Sequence, residues 1–166
     1  MVRKIALLSV LFLSACGFQL RGAYPLPFSS IYITLPETAE LRVLLKRAIA
    51  AGSNARVVDT QKDAQATLQI INDAQTKNIL SVSGSGQILA YQLVRTFSFR
   101  VTDKAGRDWL PQGQIVIHRD ITYNSSLVLS KESEEALLWN DIQNDLVQQM
   151  LRRLAAGKSP SDVEKG

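Results

Sequence analysis

Between Ile88 and Thr102 the chain alternates more strictly than anywhere else, and this stretch limits the folds open to it. Odd positions carry Leu89, Tyr91, Leu93, Phe97, Phe99 and Val101, while even positions include Gln92, Thr96, Ser98 and Arg100. Successive side chains of a strand point to opposite faces, so this pattern demands a sheet with one apolar face that must be covered and one polar face. Arg95 interrupts the apolar row, which reads as a bulge or as a position past the edge of the core.

The rest of the chain supplies neighbours and a cover for that strand. Ile31 to Leu35 alternates and is β-branched, a strand that Pro36 ends. Ala66 to Ile71 starts another strand, and a weaker alternation resumes from Ile79 to Val82. Gly84-Ser85-Gly86 reads as a turn, Asp103 to Arg107 as a hairpin connection, and Gln112 to Tyr123 as a last strand. That last strand carries Ile115, Ile117, Ile121 and Tyr123 on one side, and Gln114, His118, Asp120 and Thr122 on the other with Val116 among them.

Two segments have helical spacing. Leu41, Leu44, Leu45, Ala48 and Ile49 mark one apolar helix face, with Gly52 as a stop and Arg42, Lys46 and Arg47 mostly off that face. Leu138, Trp139, Ile142, Leu146, Val147, Met150 and Leu154 mark a second, longer helix. It has Glu132, Glu134 and Glu135 in its first turns, Arg152 and Arg153 near its end, and Ala155-Ala156-Gly157 closing it. Two one-sided helices need a shared apolar surface, and a sheet with one apolar face provides it. The expected fold is α+β, two helices packed on one face of a four-stranded mixed sheet. It forms a single domain over residues 31–157 with a disordered polar tail over 158–166.

Catalytic machinery is sparse. His118, the one histidine, falls on the polar side of a strand and reads as solvated or structurally hydrogen-bonded. One histidine and one cysteine do not build a typical zinc site, no G-x-S-x-G elbow accompanies the serines, and Gly84-Ser85-Gly86 lacks the third glycine and following helix of a phosphate loop. Neither a metal nor a dissociable cofactor is implied. The pattern favours a binding or structural role over catalysis.

The amino terminus is of another kind. Arg3 and Lys4 precede an apolar run from Ile5 to Phe12, and Leu13-Ser14-Ala15-Cys16 holds the only cysteine of the 166 residues. A positive start, an apolar centre and a small-residue cleavage site make a secretory signal. Its ending resembles the lipobox of bacterial lipoproteins, in which the cysteine thiol receives a diacylglycerol and becomes the N-acylated first residue. The division expected is a signal peptide over residues 1–15 and a lipidated tether over 16–30, of which the apolar residues pack down in part. The alternative, a buried N-terminal helix with a free cysteine, has an apolar stretch too short to span a bilayer. Loss of Arg3 and Lys4 leaves 17 basic residues against 15 acidic ones, a net of +2, too mild to argue for nucleic acid.

Three segments together resemble the LPS-assembly lipoprotein LptE family. They are Cys16-Gly17-Phe18-Gln19-Leu20-Arg21-Gly22; Ala90-Tyr91-Gln92-Leu93 through Phe97-Ser98-Phe99 to Asp103 and Gly106; and Arg119-Asp120 to Tyr123, followed by Leu129-Ser130-Lys131-Glu132 and the helix ending Arg152-Arg153-Leu154. The resemblance implies a non-enzymatic outer-membrane lipoprotein that plugs the LptD β-barrel, helps it assemble and binds lipopolysaccharide on its way to the cell surface. Gly17 is similar to an outer-membrane sorting residue. Lys131 matches a basic position implicated in lipopolysaccharide contact, and Arg119 matches the family's arginine on the last strand. A second basic position falls near Gly84, where this chain has no charge. The other reading left open is a lipid-anchored periplasmic carrier or sensor of a small amphipathic ligand, which requires an apolar pocket of a few hundred Å³.

Mass spectrometry of the protein from native cells is expected to find an amino terminus at Cys16 carrying diacylglycerol and an N-linked acyl chain. An unacylated terminus at Met1 would contradict the lipoprotein reading.

Overall fold

The computed structural model describes residues 24–158. The signal segment, Cys16, most of the tether and nearly all of the tail lie outside the described residues. The elements follow in the order β1 (Ser30–Ile33), α1 (Glu40–Gly52), β2 (Arg56–Val58), β3 (Ala66–Val82), β4 (Ile88–Asp103), β5 (Asp108–Thr122) and α2 (Val128–Ala155), with short 3₁₀ turns at Gln61–Asp63 and Ser125–Leu127. The sheet has five strands in the order β2-β1-β3-β4-β5, not four. β1 pairs in parallel with β2 and β3, and β3-β4-β5 is an antiparallel meander, so the sheet is mixed as expected. The extra strand, β2, is three residues long and too short to show a period.

The meander dominates. β3, β4 and β5 run for 17, 16 and 15 residues, a ribbon about 50 Å long at the usual rise per residue. β3 is continuous where the sequence reading left a gap between Ile71 and Ile79. It pairs with β1 only at Ala66–Leu68, and beyond that it is an edge strand exposed on both faces, so no apolar alternation is selected there. Register shifts at Ile70/Asn72 and Ile79/Ser81 also reset its parity. Gly86 and Gly106, both at φ 81°, close the two hairpins, each donating its N–H to the carbonyl three residues back (Ser83 and Asp103).

Both helices cover the face that carries Leu93, Phe97 and Phe99. Leu45 and Ile49 of α1 and Ile142, Leu146 and Met150 of α2 are fully buried with them. α2 begins at Val128, about a turn earlier than its acidic residues led one to expect, and its 28 residues extend about 42 Å. It runs antiparallel to β5, with Lys131 beside Thr122 at one end and Arg153 beside Gln114 at the other. Leu26 and Phe28 are buried as well; the Tyr24 and Leu26 N–H groups donate to Gly52 and Asn54 at the C-terminal end of α1. The opposite sheet face carries the rows Asn78–Gln92–Asp120, Thr76–Val94–His118 and Ala74–Thr96–Val116, largely hydroxyl, amide and small apolar groups.

Arg95 is neither at a bulge nor past the core. It sits in regular register, opposite Gln75 and Ile117, and is 4% exposed. Its guanidinium donates to both carboxylate oxygens of Asp73 at 2.9 and 2.8 Å and to Gln143 Oε1 of α2 at 2.6 Å. A buried cation is tolerated only when paired and hydrogen-bonded, and a bidentate carboxylate with a side-chain amide meets both conditions. Asp73→Ala should therefore destabilise the domain by about 3 kcal/mol in urea unfolding, the usual cost of stranding a buried partner. A change below about 0.5 kcal/mol would mark the pair as an ordinary surface contact.

Candidate functional site

At the end of the meander remote from α1, β4 and β5 remain paired through Tyr91–Ile121 and Ala90–Thr122 while the first turns of α2 fold back over them. The chain reverses through the Ser125–Leu127 turn, where the Asn124 side chain accepts the Ser126 N–H at 2.9 Å. Between helix and sheet lies a cleft of about 190 Å³ whose walls include Lys77, Tyr91, Thr122, Tyr123, Lys131 and Glu135. Register explains the assembly: Lys77 lies opposite Leu93, which puts it on the helix-covered face one row from Tyr91.

Both lysines are held. Lys131 donates to Thr122 Oγ1 at 3.0 Å and to Glu134 at 2.7 Å, with its side chain 18% exposed. Lys77 sits 4.4 Å from the Tyr91 ring centroid, a cation–π distance, and pairs with Glu135 at 2.5 Å. Tyr91 meets Tyr123 edge to face at 5.5 Å, which fixes the aromatic wall. An ammonium has three donors, so each lysine retains capacity for an anion beyond the partners it now has. Val128 on the cleft wall, its neighbour Leu129 and Ile79 opposite Tyr91 stand exposed, an aliphatic margin beside a lining that sets Lys77 and Lys131 against Glu132 and Glu135.

Arg119 does not line this cleft. It occupies the Lys77–Leu93–Arg119 row on the helix side of β5 and donates to Asp141 at 2.8 Å, Asp145 at 3.3 Å and the His118 carbonyl at 2.9 Å. The Asp141 hydrogen bond, reinforced by Asp145 against partial burial, raises its pKa above the ordinary arginine value. It works as a brace between β5 and successive turns of α2. The turn at Gly84 carries no charge, and the second cation at this end is Lys77. Sequence reading passed over Lys77 because it falls in the non-alternating part of β3; pairing parity with Leu93 was the one signal available, and it needs the register. His118 is exposed on the outer sheet face. Among the described residues, no group of three His, Cys, Asp or Glu could hold a metal ion, and no helix is long and apolar enough to cross a membrane.

A mixed sheet carrying two helices on one face, with a cleft lined by lysine, glutamate and tyrosine at one end, defines a small α+β domain. The family model for LptE, described as lipopolysaccharide assembly, matches residues 28–154. The LPS-assembly lipoprotein LptE of Yersinia enterocolitica is 32% identical over 152 residues, covering 89% of this chain and 72% of that one; the protein of the same name from Pectobacterium atrosepticum is 25% identical over 162 residues, covering 95% and 86%. Among solved structures, lipoprotein B of Nitrosomonas europaea superposes with a TM-score of 0.74 at 33% identity over 84% of this chain and 91% of that one. The rare lipoprotein B of Shewanella oneidensis shares the fold, with a TM-score of 0.66 at 23% identity over 77% and 95%. The chain belongs to the LptE family.

Proposed function

We propose that this chain is an outer-membrane lipoprotein, held to the bilayer through acylated Cys16, that seats inside the LptD β-barrel as a plug, assists its assembly and touches lipopolysaccharide during delivery to the cell surface. Family membership supports a role in lipopolysaccharide assembly. The observation that carries the contact is the cleft itself, where Lys131 and Lys77 stand beside exposed aliphatic side chains. Phosphates on a lipid headgroup accept charge-assisted hydrogen bonds from ammonium groups, and acyl chains suit the neighbouring Val128, Leu129 and Ile79. Arg119, already engaged by three acceptors, serves by holding α2 at the right height above the sheet. The broad polar outer face of the meander, with Gln92, Thr96, Ser98 and Asp120, suits a hydrated barrel interior, which is typically polar.

The carrier reading finds less support. Its ligand would have to lie between sheet and helices, where Leu93, Phe97, Ile142 and Leu146 are fully buried against one another, with Leu138 packed at their margin.

Lys131→Asp removes an ammonium and adds a charge of the wrong sign. Affinity for purified lipopolysaccharide should fall about tenfold, equivalent to about 1.4 kcal/mol, while the thermal unfolding midpoint moves little. Unchanged affinity in a folded variant would remove Lys131 from the contact.

A further inference from the structure

The cleft holds more than two cations. Each lysine is paired with a carboxylate from the same turn of α2, Lys131 with Glu134 and Lys77 with Glu135. The two pairs differ in kind. Lys131 and Glu134 are neighbours on one helix, whereas Lys77 and Glu135 join strand β3 to α2 across the cleft, 58 residues apart in sequence. Glu135 itself lines the cleft, and its side chain is 23% exposed. An anion approaching Lys77 over the Tyr91 ring therefore meets a carboxylate already in place.

We infer that Glu135 acts as a built-in competitor for the incoming phosphate: the headgroup takes Lys77 by displacing Glu135, so the cleft exchanges one anion for another instead of filling a vacant site. This rests on the proposal that a phosphorylated headgroup binds at the cleft, and it adds the means by which binding stays reversible. The Lys77–Glu135 pair is partly exposed, so it is weak enough to yield. Tyr91 and Tyr123 keep Lys77 oriented toward the cleft while its partner changes. Exchange suits a lipid that must leave again, because the departing phosphate gives up Lys77 to a carboxylate waiting beside it. Glu135 is thus a residue that sets affinity without touching the ligand in the bound state.

The test is a double-variant cycle on the full lipidated protein, with purified lipopolysaccharide as probe and the dissociation constant as readout. Glu135→Gln, which keeps the side-chain shape, should tighten binding about two- to fivefold, the worth of one partly exposed ion pair. The gain should vanish in Lys77→Gln/Glu135→Gln compared with Lys77→Gln alone, since no ammonium is left to release. Glu132→Gln, which removes an equal charge from the same cleft without holding either lysine, should give a smaller gain. An independent reading comes from the unmodified chain, where the Glu135 side-chain carboxyl NMR resonance should shift when the probe is added. Equal tightening with and without Lys77 would reduce the effect to bulk charge and overturn the exchange. A Glu135→Gln affinity equal to wild type, or a Glu135 resonance that stays put, would overturn it too. If Lys131→Asp still weakens binding in either of those cases, the cleft remains the headgroup site; if neither Lys131→Asp nor Lys77→Gln weakens it, the cleft reading and the exchange fall together.

Discussion

The contact between α2 and the helix-covered face of β4 and β5 is what the rest of the molecule depends on. Leu93, Phe97 and Ile115 on the strands and Ile142, Leu146 and Met150 on the helix are at most 2% exposed, and each such side chain contributes about 1.5–3 kcal/mol by leaving water. β1, α1 and β2 pack at one end of this body. The other end, where the meander outruns α1, is covered by α2 alone. That asymmetry leaves one end free to form a cleft and an entire sheet face free of helices.

Charge placed within the apolar seam sets how α2 lies. Arg95 with Asp73 and Gln143, Arg119 with Asp141 and Asp145, and Lys77 with Glu135 all lie on the helix-covered face, Lys77 and Arg119 in one cross-strand row, and each links a strand to α2. Apolar packing is indifferent to small slides of a helix along a sheet, whereas hydrogen-bonded ion pairs are not. The deeper pair, at Arg95, is saturated and structural. The pair at Lys77 is partly exposed and borders the cleft, so the same device runs from a saturated brace to a pair open to solvent along one helix.

Much of this was legible from residues alone. The alternation of Leu93, Phe97 and Phe99 announced the covered face, and the spacing of Ile142, Leu146 and Met150 announced its cover, because both report burial directly. Three features were not legible. β2 is too short for a period to register. The middle of β3 is exposed on both sides, so nothing selects alternation there even though its backbone pairs with β4 throughout. Arg95 looked like a defect because a lone charge in an apolar row gives no sign of its partner, and Asp73 lies 22 residues away across a strand pair with a shifted register. Lys77 was hidden by the same shift. At the site, Lys131 was found through the family resemblance and lines the cleft, while Arg119, found the same way, lies beside it as a brace.

On the proposed function, this domain works by fitting against a membrane barrel and handing on a lipid. Affinity isolation of the native lipoprotein from outer membranes, followed by mass spectrometry of what accompanies it, tests that claim most directly. The account predicts a large β-barrel protein in equimolar amount; recovery of soluble proteins alone would contradict it.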